Sequence, residues 1–596
     1  MNRSIRSTSY STFLAFILVL GGFSTPSLAA DNYRFEQVEK IVAVGDIHGA
    51  HSALVGLLKA TGLIDSDQNW IGGKTHFVSL GDILDRGPDS RKSMDLLMKL
   101  QSQASKAGGQ LHVVAGNHEL MNLMGDLRYV SAGEYAAFAG DETQDMRASA
   151  YKDLNVATDI SRTDFDLAFP PGYFAHRAAF APNGKYGKWL LSLPTIIVLN
   201  DTVFVHGGLS AMVAKDGLEK TNKAFISALV DFMEIRQDLF DQNILPKDET
   251  KNLTSMARGL LSAKTLKSAE KRKLRKFIEL DESDILNADG PVWYRGAMMC
   301  RTVLEKPILD NALSKLNAKR VVVGHTPSRD GRVHARYNGK LIQLDTGMLV
   351  AHYKGRPSAL VIKSGDIKIQ YLDPMETSGI STDIKSSAAQ SNTDIETALT
   401  EGSVEVLVPR SGDTPANVRI SHLGNIFNGL FYTGERERAA YLLDQMLGFD
   451  VVPPTVRRTI GNEAGSLQFA YKNAVTDSKR RADNITLGGW CPIARQHQLM
   501  LAFDVLTANK GRTAANLFYR PNQGLIFLSD FTRGFDDDRI LPSGIRRDAI
   551  KLSAGMKSAL IQLDEQKLNS ALGEVLTARE IAALLSRRDA MLRKFK

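Results

Sequence analysis

At 596 residues the chain exceeds what one hydrophobic core supports, so two or more folded domains are expected. With 43% hydrophobic and 23% charged residues it is neither disordered nor a multi-span membrane protein. A net charge of +8 with both signs interspersed gives no reason to expect nucleic acid as a partner.

The first elements belong to targeting. Arg3 and Arg6 precede an apolar run at 13–23, followed by Pro26 and the small-residue end Ser27-Leu28-Ala29. This three-part pattern is that of a secretory signal peptide, residues 1–29, cleaved near Ala29 or Ala30. The run is shorter than the roughly 20 residues needed to cross a bilayer. The mature chain is therefore expected in the periplasm with no membrane span. Cys300 and Cys491 fall in different expected domains and are expected to be two separate thiols.

Short apolar runs at 41–44, 77–80, 113–115, 203–205 and 321–323 alternate with helix-like stretches such as 90–100, which predicts an α/β domain over 35–375. Within it, 213–284 is charged and has the pattern of a solvated helical insertion. A polar, Ser/Thr-rich linker is expected at 376–397 and a second domain over 398–596, mixed at first and helical from 548 onward.

Each apolar run ends in a polar cluster. In order these are Gly45-Asp46-Ile47-His48-Gly49, Gly81-Asp82-Ile83-Leu84-Asp85-Arg86-Gly87, Gly116-Asn117-His118-Glu119, His206-Gly207-Gly208-Leu209 and Gly324-His325-Thr326. Carboxyl ends of strands are where loops of an α/β sheet converge on a ligand. Carboxylate, imidazole and amide oxygens suit Mn, Fe or Zn, and the clusters contain no cysteine for a structural zinc. Two such ions can hold a hydroxide at neutral pH and clamp phosphoryl oxygens for in-line attack.

These five motifs, in this order, resemble the phosphoprotein-phosphatase branch of the calcineurin-like metallophosphoesterases. The resemblance implies a β-sandwich flanked by helices with a dimetal site at one edge, Mn foremost. It implies Asp46, His48 and Asp82 on one ion, and Asp82 as a bridge with Asn117, His206 and His325 on the other. It further implies Arg86 and Arg295, the latter in Pro291-Val292-Trp293-Tyr294-Arg295-Gly296, as phosphate grips. His118 is implied as the general acid, oriented by Asp85, with Glu119 in support. Eukaryotic members carry a Ser-Ala-Pro-Asn-Tyr stretch where this chain reads Leu344-Asp345-Thr346-Gly347-Met348. That departure, and the longer insertion between His118 and His206, look more like bacterial Shewanella-like phosphatases and symmetric diadenosine tetraphosphatases. The expected substrate is a phosphorylated protein, on serine, threonine or tyrosine, or a small phosphoester; a dinucleoside polyphosphate is the alternative.

The C-terminal part resembles the atypical kinase fold of HipA-type, phosphoinositide and secretory-pathway kinases, an α+β domain with a helical end. Glu437-Arg438-Ala439-Ala440-Tyr441 matches the helix with the ion-pairing glutamate, and the stretch from Asp504 through Asn516 to Ser529-Asp530-Phe531 matches the catalytic loop and metal-binding aspartate. Gly511 stands where the resemblance would require the catalytic aspartate, and Tyr432 is the nearest position to the strand lysine. Asn516 and Asp530 retain oxygen atoms suited to a metal. The expectation for this domain is a pseudokinase that binds a ligand or protein partner; for the whole chain, a bifunctional kinase-phosphatase and a phosphate-sensing scaffold that keeps metal without turnover are the other readings.

Overall fold

A computed structural model describes residues 33–595 apart from 159, 264–265, 373, 381–391, 413, 544–545 and 547. The expected signal peptide lies outside the described residues. The strands of the first half are β1 (Arg34–Phe35), β2 (Lys40–Val44), β3 (His76–Ser79), β4 (Gln110–Val113), β5 (Ile196–Leu199), β6 (Thr202–Val205), β7 (Arg320–Val323), β8 (His334–Arg336), β9 (Leu341–Gln343), β10 (Ser358–Lys363), β11 (Asp366–Leu372) and β12 (Met375–Ser378). They form two sheets, ordered β1-β5-β6-β7-β9-β8 and β12-β11-β10-β2-β3-β4.

The pleat explains why these sheets stack. Ile41 and Ala43 alternate with Val42 and Val44, and the period of two sends each pair to a different face. Ile41, Ala43, Val78, Phe204, Val322 and Ile342 form the core between the sheets. Val42 and Val44 instead pack with Leu54, Leu57 and Leu97 from the helices His51–Ala60 and Ser90–Lys106. On the far side, Val203, Val205, Val321 and Val323 pack with Leu309 and Ala312 of the helix Thr302–Lys315. Strands covered on both faces must be apolar throughout, which is why β5 reads Ile-Ile-Val-Leu. The result is a β-sandwich flanked by helices, within a mixed α/β chain.

The stretch 213–284 is not merely solvated. Its helix Leu218–Asp241 buries Phe225, Leu229, Phe232 and Met233 in the main core, because apolar residues recur on one helical face among the charges. The expected linker is partly ordered structure: β12 pairs with β11, and the helix Asn392–Glu401 buries Ile395 and Leu399 against the next sheet.

In the second half β13 (Ser403–Val408), β14 (Ala416–His422), β15 (Asn425–Thr433), β16 (Thr455–Ile460) and β17 (Glu463–Ala470) form an antiparallel sheet ordered β13-β14-β15-β17-β16. A smaller sheet joins β18 (Val475–Thr476), β19 (Leu517–Arg520) and β20 (Leu525–Leu528), and the helices Ala554–Ile561, Glu565–Leu572 and Ala578–Lys594 follow. From Tyr33 onward the chain is one compact unit. Val303 and Leu304 sit in the hydrophobic core of the second half beside Leu443, Phe503 and Leu528. Arg301, buried, donates to the carbonyls of Asp450 and Ile526 and to Gln496. The two cysteines are not separate thiols: these stretches of chain meet, with Cα atoms 5.4 Å apart, and Cys300 and Cys491 form a disulfide. Their sequence separation hid this, since only the interface between the halves brings them together.

Candidate metal centre

The five polar clusters meet because the strands before them end at one edge of the sandwich. β2, β3 and β4 run parallel in one sheet and β6 and β7 parallel in the other, so their carboxyl ends share a side. The turns that follow are unusual. His48, Asp82, Asp85, Arg86 and His325 all adopt positive φ, between 47° and 71°. Non-glycine residues accept this strained region at a cost of order 1–3 kcal/mol each, and such strain clusters at functional sites. Two glycines permit close approach: a Cβ on Gly116 would stand 2.3 Å from Asp82 Oδ1, and one on Gly324 would stand 2.4 Å from Asp46 Oδ1.

Backbone carbonyls set the imidazoles. His48 Nδ1 lies 2.8 Å from the Leu84 carbonyl, His206 Nδ1 2.7 Å from Leu80, and His325 Nε2 3.2 Å from Trp293. A carbonyl only accepts, so each of these nitrogens carries the hydrogen and the other nitrogen keeps a bare lone pair. Those lone pairs converge. His206 Nε2 lies 2.9 Å from Asn117 Oδ1, 3.2 Å from Asp82 Oδ2 and 3.1 Å from His325 Nδ1. His48 Nε2 lies 3.7 Å from Asp82 Oδ2 and 4.0 Å from Asp46 Oδ2. A proton on His206, or a divalent ion held between them, would satisfy these facing groups. His48, Asp82 and His118 form one group with ligand atoms mutually within 4.8 Å, and Asp82, His206 and His325 another, so Asp82 is common to both. Asp46 joins the first side through His48, and Asn117 the second through His206. The donor set is the hard and borderline mixture that divalent transition ions take.

The electrostatics agree. Asp46, Asp82 and Glu119 are buried, and so is Asp345, at the end of β9. Burial and the neighbouring Asp345 push Asp46 well above the usual carboxylate range. Burial likewise lifts Asp345 to about 6 and Glu119 to about 7. Burial would raise Asp82 too, but the imidazoles of His206 and His118 overturn this and hold it well below its ordinary value. Burial drives His48 down to about 3, while His206, penalised by burial but facing Asp82 and Asp46, rises to about 9. Divalent cations held by these residues would relieve the carboxylate crowding. Glu119 holds the loops in place: it accepts from the backbone N–H groups of Asp82, Ile83 and Gly116, tying two of the turns together.

Beside the ligands, His118 Nδ1 lies 2.5 Å from Asp85 Oδ2, and Asn122 donates to the other oxygen of Asp85 at 2.9 Å. His118 Nε2 is 3.8 Å from Asp82 and 3.5 Å from Arg86 Nη2. Arg86 stands over the rings of Tyr129 and Tyr353 and reaches His352. Arg295 Nη1 donates to the His325 carbonyl at 2.5 Å and to Thr326 Oγ1 at 3.2 Å. The Nε of each arginine is buried with no partner in the protein. All ten residues picked out in the sequence are thus assembled; nine of them line or lie within contact of one pocket of about 520 Å³, and Asp85 stands behind His118. Sequence reasoning missed Asp345, Tyr129, Tyr353 and Trp490. Asp345 stood at a sixth strand end, a signal that was present, whereas the aromatics carry no motif.

In the second half, Arg512 fills the position facing Asp504 and Asn516. It holds Asp504 through two bonds of 2.9 and 3.0 Å and donates to Asn516 Oδ1 and to the Ser529 carbonyl. The Asn516 amide oxygen also accepts from Thr513 N, which fixes its orientation, so its NH₂ points to Asp530 Oδ2 at 3.1 Å. Tyr432 hydrogen-bonds Ser529, and Glu437, buried, accepts from Phe531 N.

The family description "Calcineurin-like phosphoesterase" matches residues 39–329. Shewanella-like protein phosphatase 2 of Arabidopsis thaliana is 31% identical over 342 residues, 55% of this chain and 76% of the relative. Among solved structures, a cold-active protein-tyrosine phosphatase of a psychrophilic Shewanella species aligns at 26% identity over 58% of this chain and 82% of that one, with a TM-score of 0.39. The Helicobacter pylori proinflammatory kinase CtkA aligns with 33% of this chain and 94% of its own at 11% identity and a TM-score of 0.23. With the relative's 31% identity over three quarters of its length, and with the carboxylates and imidazoles gathered as described, the chain belongs to the calcineurin-like phosphoesterases of the Shewanella-like protein phosphatase type and is a hydrolase.

Proposed function

We propose that this chain is an exported phosphomonoesterase acting on phosphorylated protein with two divalent ions, manganese foremost and iron or zinc as alternatives. The observation that carries this reading is the convergence of imidazole lone pairs and carboxylates on Asp82 from both sheets. Asp46, His48 and Asp82 would hold one ion, and Asp82, Asn117, His206 and His325 the other. When bound, such ions supply an acidified water and positive charge for the phosphoryl oxygens.

The chain's own residues do the rest. Arg86 and Arg295 present guanidinium forks, each with an unpartnered Nε, to grip the phosphoryl group. His118 is penalised by burial, yet Asp82 and Asp85 raise its affinity for a proton above the ordinary value. It therefore holds a proton for the leaving oxygen, with Asp85 keeping Nδ1–H in place. The aromatic side chains of Tyr129, Tyr353 and Trp293 wall the pocket in which the group would be cleaved.

The test is turnover of p-nitrophenyl phosphate, phosphopeptides and diadenosine tetraphosphate by the mature chain with Mn, beside Asp82→Asn. Loss of activity in the variant supports the reading; equal activity sinks it. Preference for the dinucleotide would transfer the function to polyphosphate hydrolysis. Export into the periplasm is supported by the first thirty residues and by the Cys300–Cys491 disulfide, which suits an oxidising compartment. Periplasmic fractionation of the expressed chain tests it.

For the second half, a specific observation favours a binding module over a kinase. Arg512 bonds Asp504 and Asn516, the residues that the kinase resemblance would assign to metal and catalysis, and Asn516 offers its NH₂, not its oxygen, to Asp530. Absence of ATP binding by the full chain in calorimetry is the expected result; binding would restore the bifunctional reading.

A further inference from the structure

One wall of the phosphoesterase pocket comes from the second half of the chain. Trp490 lies between β18 and the helix Ile493–Leu506, yet its indole lines the pocket that holds Asp46, Asp82 and His118. The guanidinium carbon of Arg295 stands 4.9 Å over this indole. Trp293 lies nearly parallel to it, at 6.4 Å and 18°, and the His325 ring approaches at 6.2 Å and 73°. The indole remains 37% exposed, so it borders the open pocket.

The segment carrying it is pinned on both sides. Gly488 N donates to the Pro521 carbonyl, and Gly489, at φ +89°, lies where a Cβ would meet the Gln523 backbone at 2.3 Å. Immediately after Trp490, Cys491 is bonded to Cys300. Cys300 in turn closes the short helix Gly296–Met299, which begins directly after Arg295. The arginine and the indole that covers it are therefore fastened through one covalent link, near both. The indole occupies one face of the guanidinium, while the His325 carbonyl and Thr326 hold Nη1. Rotation of the fork away from the pocket would break all of these contacts.

We propose that Trp490 is a positioning residue of the phosphoesterase pocket: held by the Cys300–Cys491 bond, its aromatic face sets the orientation of Arg295, so the second half of the chain completes the phosphate-binding site of the first in cis. A cation over an indole face is the strongest arrangement of its kind, and it fixes direction without competing for the hydrogen bonds that phosphate needs. The proposal rests on the phosphate-gripping role of Arg295 given above.

The experiment uses the full mature chain with Mn and two readouts, steady-state hydrolysis of p-nitrophenyl phosphate and calorimetric binding of inorganic phosphate. Trp490→Ala is expected to raise KM and the phosphate Kd by about tenfold, with kcat changed less than about threefold. Trp490→Phe should restore most of the affinity, and the thermal midpoint of both variants should match the wild type. The double variant Cys300→Ser with Cys491→Ser should weaken phosphate binding as Trp490→Ala does; unchanged affinity there would overturn the tether. Unchanged phosphate affinity in Trp490→Ala, or an equal loss in Trp490→Phe with a collapsed thermal midpoint, would overturn the positioning role. A wild type that binds phosphate without hydrolysing any ester would end the phosphatase reading while leaving the Trp490 comparison intact. A wild type that binds no phosphate would overturn the Trp490 proposal as well.

Discussion

His118 Nδ1 and Asp85 Oδ2 lie 2.5 Å apart, both buried, with Asn122 bound to the second oxygen of Asp85. This pair leaves Nε2 as the one ring nitrogen directed at the reacting group. If it protonates the leaving oxygen, its removal must hurt most where the leaving group is a poor one. His118→Ala should lower kcat for an alkyl phosphate by about 10²- to 10⁴-fold and for p-nitrophenyl phosphate by far less. Steady-state kinetics on the two substrates check this, and an equal loss on both would assign His118 to binding alone. Asp85→Asn should fall between wild type and His118→Ala.

Asp82 is approached by three imidazoles, His206 at 3.2 Å, His48 at 3.7 Å and His118 at 3.8 Å, and is shared by both candidate ligand groups. Asp82→Asn should therefore lower bound metal at both positions and reduce kcat by at least about 10²-fold. Elemental analysis of the purified variant separates this from a folding defect, provided its circular dichroism is unchanged. Chelation of the wild type should remove activity, and added Mn should restore it.

Glu249 sits between the buried Arg236 and the largely buried Arg177, with Arg177 Nε at 2.5 Å and Arg236 Nη1 at 3.1 Å. Burial would raise this carboxyl, but the two arginines hold it below its ordinary value. Glu249→Ala leaves both cations without compensation and is expected to cost about 3–5 kcal/mol. Denaturant unfolding measures it. Since Arg236 caps the carbonyls of Leu123 and Met124 at the end of the helix bearing His118, activity should fall together with stability.

Burial pushes Glu437 up to about 8. Between about pH 4.5 and about pH 8 the folded chain therefore keeps this proton while the unfolded chain loses it. Stability should fall as pH rises through that window, by about 1.4 kcal/mol per unit, and level off above it. Asp444, also buried and raised to about 8, adds a parallel contribution. Glu437→Gln keeps an acceptor for Phe531 N and should flatten the slope by roughly one group's share. Unfolding midpoints at pH 5, 6, 7 and 8 check it, and identical slopes would show that Glu437 does not keep its proton in the folded chain.

The five clusters from Asp46 to His325 were legible in the sequence because each is local. A short β-branched run, a glycine and a ligand occur within a few consecutive residues, and the parallel order of strands carries every such turn to the same edge. The alternation of Ile41 and Ala43 with Val42 and Val44 likewise puts the two pairs on opposite faces, while which face meets the other sheet and which the helices is decided by tertiary packing. Tertiary structure alone decided what crosses between distant stretches: the pairing of Cys300 with Cys491, the burial of the helix Leu218–Asp241, the seat of Arg512 against Asn516, and the indole of Trp490 over Arg295. The physical reason is the same in each case. A ligand turn is specified by neighbours along the chain, whereas an aromatic wall or a disulfide is specified only by which surfaces the packed halves bring together.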